Sequence, residues 1–435
     1  MPSTYIQRTP SGGNRKKWTW SAWIKFANPS STNRYLWSGY SASNNTGYLQ
    51  AYFHNDEQLT IGAWDVNYLN TTRLFRDVNA WYHIVIVMDT AQATAANRLK
   101  LYINGVEETV FDTDSRSSIG QNSDMGYNSN GLHTIGGYGT NAASYPGWDG
   151  IMSHIHFTDG YAYTPSAFGE TDATTGEWKI NSTPSVSYGT TGYWILKNDA
   201  GVSDQSPNSN NWSVIAGNLT KTEDCPSNVF ATLNPLNYTS STITYSNGNT
   251  KATYPGAWMA NQGTVGAITG KYYWEAKVVS GNNQNLFYGI CRPSIDLDSS
   301  PQNQTGVICQ HINGDKYVDG TYTAGAAQAL VNGDILGVAL DLDSGTKTVK
   351  FYKNGSLLSS GSSINLTSTY DNEFVLPFFA GNNSSASSIW ETNFGNGIFG
   401  TTAISSAGTN ASNNGIFEYD VPANYTALST KGLNT

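Results

Sequence analysis

The chain has 435 residues, which sets a first expectation of two or three domains. Only 13% of its residues are charged against 38% apolar, and with 44 glycines the surface must be solvated largely by Asn, Ser, Thr and Gly. A formal net charge of −9 gives no overall attraction to polyphosphate, so nucleic acid is excluded as an expected partner.

Residues 1–17 contain no apolar run of the kind a secretory signal needs, so none is expected. No stretch approaches 18 consecutive apolar residues, so no membrane insertion is expected. Alternating strands begin at Trp18, where Trp18, Trp20, Ala22 and Ile24 occupy every second position. Further strands are predicted over 34–40, 48–54 and 58–64. Residues 81–89 (WYHIVIVMD) are almost continuously apolar or β-branched, as a central strand would be. Strands at 98–105, 133–139 and 148–160 complete a sandwich-sized unit.

Residues 199–228 are rich in Ser, Asn, Asp and Pro and carry few strand signals, so they read as a linker with partial docking through Trp194 and Trp212. Beyond them the pattern resumes at 271–280, 285–292, 334–343, 348–355, 374–381 and 390–398. The second unit repeats a phrase of the first. Leu99, Lys100, Leu101 and Tyr102 correspond to Val349, Lys350, Phe351 and Tyr352, and each run ends in Asn-Gly, at 104–105 and 354–355. Asn-Gly supplies the two positive-φ positions of a type I′ turn, so each is predicted to be a two-residue hairpin. The strands around the two hairpins also follow in the same order.

The expected architecture is therefore all-β, two β-sandwiches in tandem joined by a Ser/Asn-rich linker, and the resemblances that follow imply that both are concanavalin-like jelly rolls. The divisions are 1–198 for the first sandwich, 199–236 for the linker, 237–400 for the second sandwich and 401–435 for a C-terminal tail.

Three resemblances sharpen this. Trp81-Tyr82-His83-Ile84, Leu99 to Gly105, Ile135-Gly136 and Trp148-Asp149-Gly150-Ile151 form an ordered set that resembles the laminin-G-like, concanavalin-like lectin sandwich. Tyr273-Trp274-Glu275, Phe287-Tyr288-Gly289-Ile290, Leu336-Gly337-Val338, Phe351 to Gly355, Leu376-Pro377-Phe378 and Asn393-Phe394-Gly395 resemble a SPRY domain over 270–395. The joining phrases at 158–179, 206–214, 224–237 and 417–433 resemble segments of structural proteins of marine bacteriophages. That resemblance implies a virion appendage, assembled in a host cytoplasm and displayed on the particle exterior.

Four sets of residues could carry chemistry. Asp296/Asp298 and Asp341/Asp343 are i, i+2 acidic pairs with no third acid in phase, and both precede Ser/Gly turns. They read as turn caps rather than as a glycosidase pair. His154 and His156 share a strand at i, i+2, with His83 as a third nitrogen for zinc, but strand histidines more often pack or hydrogen-bond. Cys225, Cys291 and Cys309 form no C-x-x-C pair and read as small buried hydrophobes. Laminin-G-like units often bind calcium, and Asp112, Asp114 and Asp149 carry suitable oxygens, but spacing assigns no ligand set.

The binding candidates are Tyr138, Tyr145 and Trp148, within the Gly-rich stretch 136–150. Flat aromatics beside Asn and Asp suit the apolar face and hydroxyl edge of a sugar ring. The competing reading puts Trp148 in the core, with the tyrosines bracing the loop. The function expected is a non-enzymatic fibre component that adsorbs to a host-surface glycan or outer-membrane protein. Its partners are other virion proteins and further copies of itself, as a homo-oligomer, expected as a trimer; no cofactor is expected. The rival functions are a purely architectural virion part and a polysaccharide depolymerase on the same fold.

Overall fold

A computed structural model describes residues 4–27, 32–139, 147–197, 201–237, 243–254, 259–281, 285–298, 300–358, 363–382 and 388–434. The chain divides into two compact units, Met1–Leu219 and Thr220–Thr435.

The first unit is a two-sheet sandwich. One sheet runs, in spatial order, Phe111–Asp114, Asn67–Leu74, Gln58–Gly62, Tyr48–Phe53, Arg34–Tyr40, Leu132–Ile135, Tyr5–Arg8 and Ser213–Ala216. The other runs Tyr193–Ile195, Gly150–Asp159, Lys17–Phe26, Trp81–Asp89, Leu99–Ile103 and Val106–Glu107. Period-two alternation makes the core: Trp18 lies opposite Met88, Trp20 opposite Ile86 and Ala22 opposite Ile84, all pointing inward. Leu36, Trp37, Leu49, Ala51 and Phe53 meet them from the facing sheet. The Trp18 and Trp37 rings meet edge-on at 6.1 Å between centroids. Each buried tryptophan removes about 150–250 Å² from water.

The nearly unbroken apolar run at Trp81–Asp89 is buried on both faces: Ile84, Ile86 and Met88 enter the core, while outward Val85 and Val87 are also buried and outward His83 stacks under Trp178 of the hairpin Gly169–Thr171/Trp178–Ile180.

The second unit repeats the plan. Its larger sheet orders Thr244–Ser246, Lys251–Tyr254, Ser388–Asn393, Lys271–Ser280, Ile335–Asp341, Thr348–Lys353 and Ser356–Leu357. The smaller orders Met259–Gln262, Leu376–Asn382, Asn285–Cys291, Val307–His311, Lys316–Val318 and Thr321–Thr323. Trp274, Tyr288, Val338, Phe351, Phe379 and Trp390 fill the space between them. Both Asn-Gly turns are two-residue hairpin turns, with φ of +48° and +82° at Asn104 and Gly105, and +47° and +79° at Asn354 and Gly355.

Two segments depart from the expected division. The described part of 199–236 docks through Trp212 as expected, but it is divided between the two units rather than standing as a linker. Ser213–Ala216 pairs with Tyr5–Arg8 and Trp212 enters the first core, so the first unit extends to Leu219. Phe230, Ala231 and Leu233 enter the second core. Nor is 401–434 a loose tail. Thr426–Ala427 adds in parallel to Lys271–Ser280, and Phe417, Val421, Tyr425 and Leu428 are core residues. Neither segment alternates in sequence, because each is held by single anchors and side-chain hydrogen bonds rather than by a long ladder.

Candidate functional site

The outer face of the eight-stranded sheet is built from the residues that alternate with its core. In Tyr48–Phe53, Leu49, Ala51 and Phe53 point inward, which leaves Tyr48, Gln50 and Tyr52 outside. In Arg34–Tyr40 a bulge between Tyr35 and Trp37 turns both Leu36 and Trp37 inward and restores Ser38 and Tyr40 to the outer face. The register sets Tyr40 opposite Tyr48, Ser38 opposite Gln50 and Tyr35 opposite Tyr52.

Tyr138 joins this face through the turn that follows Leu132–Ile135. The Gly139 amide donates to Ser38 Oγ at 2.7 Å, and Ser38 Oγ donates to the Gly137 carbonyl at 3.2 Å. The Tyr138 ring thereby lies 5.0 Å from Tyr35 and 5.7 Å from Tyr48. At the rim, Trp64 stands edge-on to Tyr48 at 5.9 Å and 6.5 Å from Tyr40, and stays 43% exposed. Asp65 follows it, and its amide donates to Asn45 Oδ1 at 2.8 Å. Tyr40 Oη shares a hydrogen bond of 3.0 Å with Ser43 Oγ, and Tyr48 Oη donates to Gln50 Oε1 at 2.6 Å. Farther along the face Thr60 Oγ1 donates to Asn70 Oδ1 at 2.7 Å, and Asn70 donates to Gln58. The rim thus offers one exposed indole, a partly exposed phenol, a carboxylate and amides. That set suits a single sugar ring, stacked by its apolar face and bonded at its edge. Trp64 and Tyr40 are 52° from coplanar, so the rim does not match a flat crystalline polysaccharide surface.

Of the aromatics singled out in the sequence, Tyr138 belongs to this face. Trp148 turns to the core, with its ring 5.0 Å from Phe26 and 5.8 Å from Phe53, as the competing reading had it. Tyr145 lies outside the described residues. Tyr40 and Trp64, the more exposed members, went unselected. The available signal was the Tyr48/Tyr52 alternation, which puts aromatics on the face opposite Leu49 and Phe53.

The histidines are structural in geometry. Trp178 Nε1 donates to His83 Nδ1 at 2.9 Å, so His83 Nε2 carries the hydrogen and donates to Ser21 Oγ at 2.8 Å. Burial pushes the His83 imidazole down to about 3. His156 bonds Tyr188 at 2.9 Å, and burial lowers it strongly. His154 bonds Ser153 Oγ at 2.7 Å in a bulge at φ +48°, and burial pushes it down to about 4. Both nitrogens of His83 are therefore occupied. Among the described residues no group of three or more His, Cys, Asp or Glu is placed to hold a metal.

The acidic candidates are engaged locally. Asp112 accepts from Gln58, and Asp114 takes both Nε and Nη2 of Arg116, at 2.8 and 2.6 Å. Asp296 caps the amide of Asp298 at 3.0 Å. Asp341 caps Asp343 and Ser344 and pairs with Lys271 at 2.8 Å. In the second unit the notable carboxylate is Glu275, fully buried on Lys271–Ser280. Its oxygens accept the amides of Glu418 and Tyr419 at 2.8 and 2.9 Å and the side chain of Asn393 at 3.2 Å. Burial pushes it up to about 7, against the pull of those donors.

Residues 3–157 match the family model of the concanavalin A-like lectin/glucanases superfamily (Laminin_G_3), and residues 271–396 match that of the SPRY domain. Similar solved structures include the SPRY domain of human HERC1, at 19% identity over 34% of this chain and 91% of that chain, with a TM-score of 0.29. The TRIM65 PSpry domain is 15% identical over 38% of this chain and 91% of that chain, TM-score 0.30. The heptameric SAP-like pentraxin from Limulus polyphemus is 18% identical over 38% and 72%, TM-score 0.28. A search of the curated proteins gave no match. The chain thus carries a concanavalin-like domain followed by a SPRY domain, folds that can bind carbohydrates or proteins.

Proposed function

We propose that this two-domain chain is a non-enzymatic adhesion protein of a phage virion, a tail-fibre or surface-fibre component whose concanavalin-like domain takes a sugar ring at Trp64 and Tyr40. The observation that carries the reading is the exposed Trp64 indole, set beside Tyr40, Asp65 and Asn45 on an otherwise packed aromatic face. The SPRY domain serves as the second presenter of loops and holds a protein neighbour in the fibre. Virion origin rests on the likeness of the joining segments to marine phage proteins. Copies on one particle, expected as trimers, turn weak single-sugar contacts into adsorption, since linked sites raise avidity by about 10²–10⁴.

The test has two arms. Binding of the whole chain to host envelope glycans is measured by glycan array and calorimetry, beside a Trp64→Ala variant. Antibody against each domain is then located on intact particles by electron microscopy. Glycan binding lost in the variant, with label at distal fibre ends, supports adhesion. Label confined to a junction, with no glycan bound, makes the protein an architectural part.

A further inference from the structure

The chain writes Asn-Gly eight times, beginning at Asn104, Asn130, Asn247, Asn313, Asn332, Asn354, Asn396 and Asn414. This dipeptide is chemically labile. Glycine has no Cβ, so its amide nitrogen can close on the side-chain carbonyl carbon of the asparagine before it. The Gly N–Asn Cγ bond forms as the glycine amide gives up its proton. The Cγ–Nδ2 bond then breaks, and the side-chain nitrogen leaves as ammonia. Water opens the cyclic imide at either carbonyl, which yields aspartate or isoaspartate. Closure needs the asparagine side chain free to swing and the Asn-Gly peptide plane free to rotate.

The fold restricts that freedom at all of these sites but one. Asn104 Oδ1 accepts the His83 amide at 2.7 Å. Asn354 Oδ1 accepts the Ile335 amide at 2.9 Å, and its Nδ2 donates to Asp334 at 2.8 Å. Asn313 is bonded to Asp315 through both side-chain atoms, and the Gly314 amide donates to the His311 carbonyl at 2.9 Å. After Asn332, the Gly333 amide donates to the Val278 carbonyl at 2.8 Å. The Asn247 carbonyl, which must turn with the peptide plane, accepts the Thr250 hydroxyl at 2.7 Å. Asn396 and Asn414 are buried: Asn396 Oδ1 accepts the Phe394 amide at 3.1 Å, and Asn414 Nδ2 donates to Thr426 Oγ1 at 2.9 Å.

Asn130 is the exception. It is exposed in the turn before Leu132–Ile135, and neither its side chain nor its carbonyl is hydrogen-bonded to a described residue. The Gly131 amide makes one long contact, 3.4 Å to Ser129 Oγ. The backbone beyond it has no slack. Leu132 pairs with Tyr40, and a Cβ on Gly131 would lie 2.1 Å from the Tyr40 carbonyl oxygen. Isoaspartate routes the main chain through Cβ and lengthens it by one atom, so at residue 130 it must disturb the packing of Gly131 on Tyr40.

We propose that Asn130-Gly131 is the site at which this folded chain deamidates spontaneously, and that isoaspartate there displaces Tyr40 and weakens the sugar rim. The second part rests on the reading of Trp64 and Tyr40 as a sugar site; the first does not.

The test uses the full chain, held in mildly alkaline buffer beside an Asn130→Gln variant. Deamidation at each Asn-Gly is followed by peptide mass mapping, with isoaspartyl methyltransferase labelling to separate isoaspartate from aspartate. The parent is also held in guanidinium chloride. In the folded chain residue 130 is expected to react about tenfold faster than Asn104 or Asn354, where one or two hydrogen bonds must break first. In denaturant the rates at these sites should converge. Fresh and aged samples are then applied to the host-envelope glycan array. The aged parent should lose signal while the aged variant keeps it. A folded-chain rate at residue 130 no higher than at Asn104 or Asn354 overturns the proposal. Equal loss of glycan signal in the aged parent and the aged variant overturns the link to Tyr40. Isoaspartate at residue 130 in a chain that binds no glycan even when fresh supports the modification and removes the sugar reading.

Discussion

Asn104 Oδ1 accepts the His83 amide hydrogen at 2.7 Å, while the Asn104 amide donates to the His83 carbonyl at 2.9 Å. One turn residue thus extends the ladder of the neighbouring strand by a full pair of bonds. Asn354 does the same with Ile335 in the second unit, at 2.9 and 2.8 Å. The repeated phrase therefore repeats a cross-strand lock as well as a turn. Asn104→Gly keeps the positive φ and removes only the side-chain bond, so it is expected to cost about 0.5–1.5 kcal/mol. Asn104→Ala adds the left-handed backbone penalty, about 1–2 kcal/mol more. Urea unfolding of the three proteins checks both steps. Equal stability of the Gly variant and the parent would remove the lock from the account.

The glycine after each Asn carries a second constraint. A Cβ on Gly105 would lie 2.5 Å from the Trp178 ring, and one on Gly355 would lie 2.7 Å from Tyr419. Gly176 and Gly333 also have positive φ but open space around them. Alanine at Gly176 or Gly333 should therefore cost only the backbone term, about 1–2 kcal/mol. Alanine at Gly105 or Gly355 should cost clearly more, since an aromatic ring must move. Chemical denaturation of these four variants, read on the transition of the unit concerned, decides it.

The two units should respond oppositely to acid. His83 and His133 are buried neutral, at about 3 and about 4, below the unfolded value of 6.5. The unfolded state binds more protons between those values, so the first unit loses stability as pH falls below about 6.5, on the order of 2 kcal/mol per imidazole by pH 5. Glu275 lies the other way: burial holds it at about 7 against 4.5 unfolded. The folded state there binds the extra proton, so the second unit gains stability as pH falls from about 7 to 4.5, by about 3 kcal/mol. Below that, Asp341 reverses the gain. Burial raises its carboxyl, but Lys271 and the Ser344 contacts outweigh this and hold it at about 2, so stability is lost as pH falls from about 3.8 through 2. Calorimetry from pH 8 to 4 should show the two transitions moving in opposite directions, and Glu275→Gln should flatten the slope of the second. Parallel movement would remove these buried groups as its cause.

What the sequence disclosed depended on how each residue is held. Strands with regular alternation, such as Lys17–Phe26 and Lys271–Ser280, were legible because one face is core and neighbours pair along most of their length. The strand pairing of 201–219, beyond its Trp212 anchor, and the docking of 401–434 were not. Asp204 accepts the Trp194 amide, Asn210 donates to the Gly192 carbonyl, Glu275 accepts the Glu418 amide and Asn414 accepts from the Asn228 side chain, and such bonds leave no period. Asp159 shows the same limit: nothing in the predicted strand 148–160 marks it, yet it is buried and accepts four hydrogen bonds. The aromatic face was half legible. Tyr138 stood out in a Gly-rich run, whereas Trp64 depended on knowing that Gln58–Gly62 lies beside Tyr48–Phe53.

Trp64 and Trp148 separate binding from packing. Trp64 sits at the rim and touches Tyr40 and Tyr48 by its edge, so Trp64→Ala should change stability by less than about 1 kcal/mol while removing the stacking surface. Loss of one aromatic platform should weaken glycan affinity by roughly tenfold or more. Tyr138 is wedged between Tyr35 and Tyr48, so Tyr138→Ala should affect stability and binding together. Trp148 packs on Phe26 and Phe53, so Trp148→Ala should cost about 3–5 kcal/mol. Below its melting temperature that variant should keep the parent affinity. Calorimetric titration with the bound glycan, paired with thermal melts of all three variants, reads both quantities. If Trp148→Ala abolished binding in the folded state while Trp64→Ala bound normally, the sugar site would lie on the 136–150 side of the domain and not at the Trp64 rim.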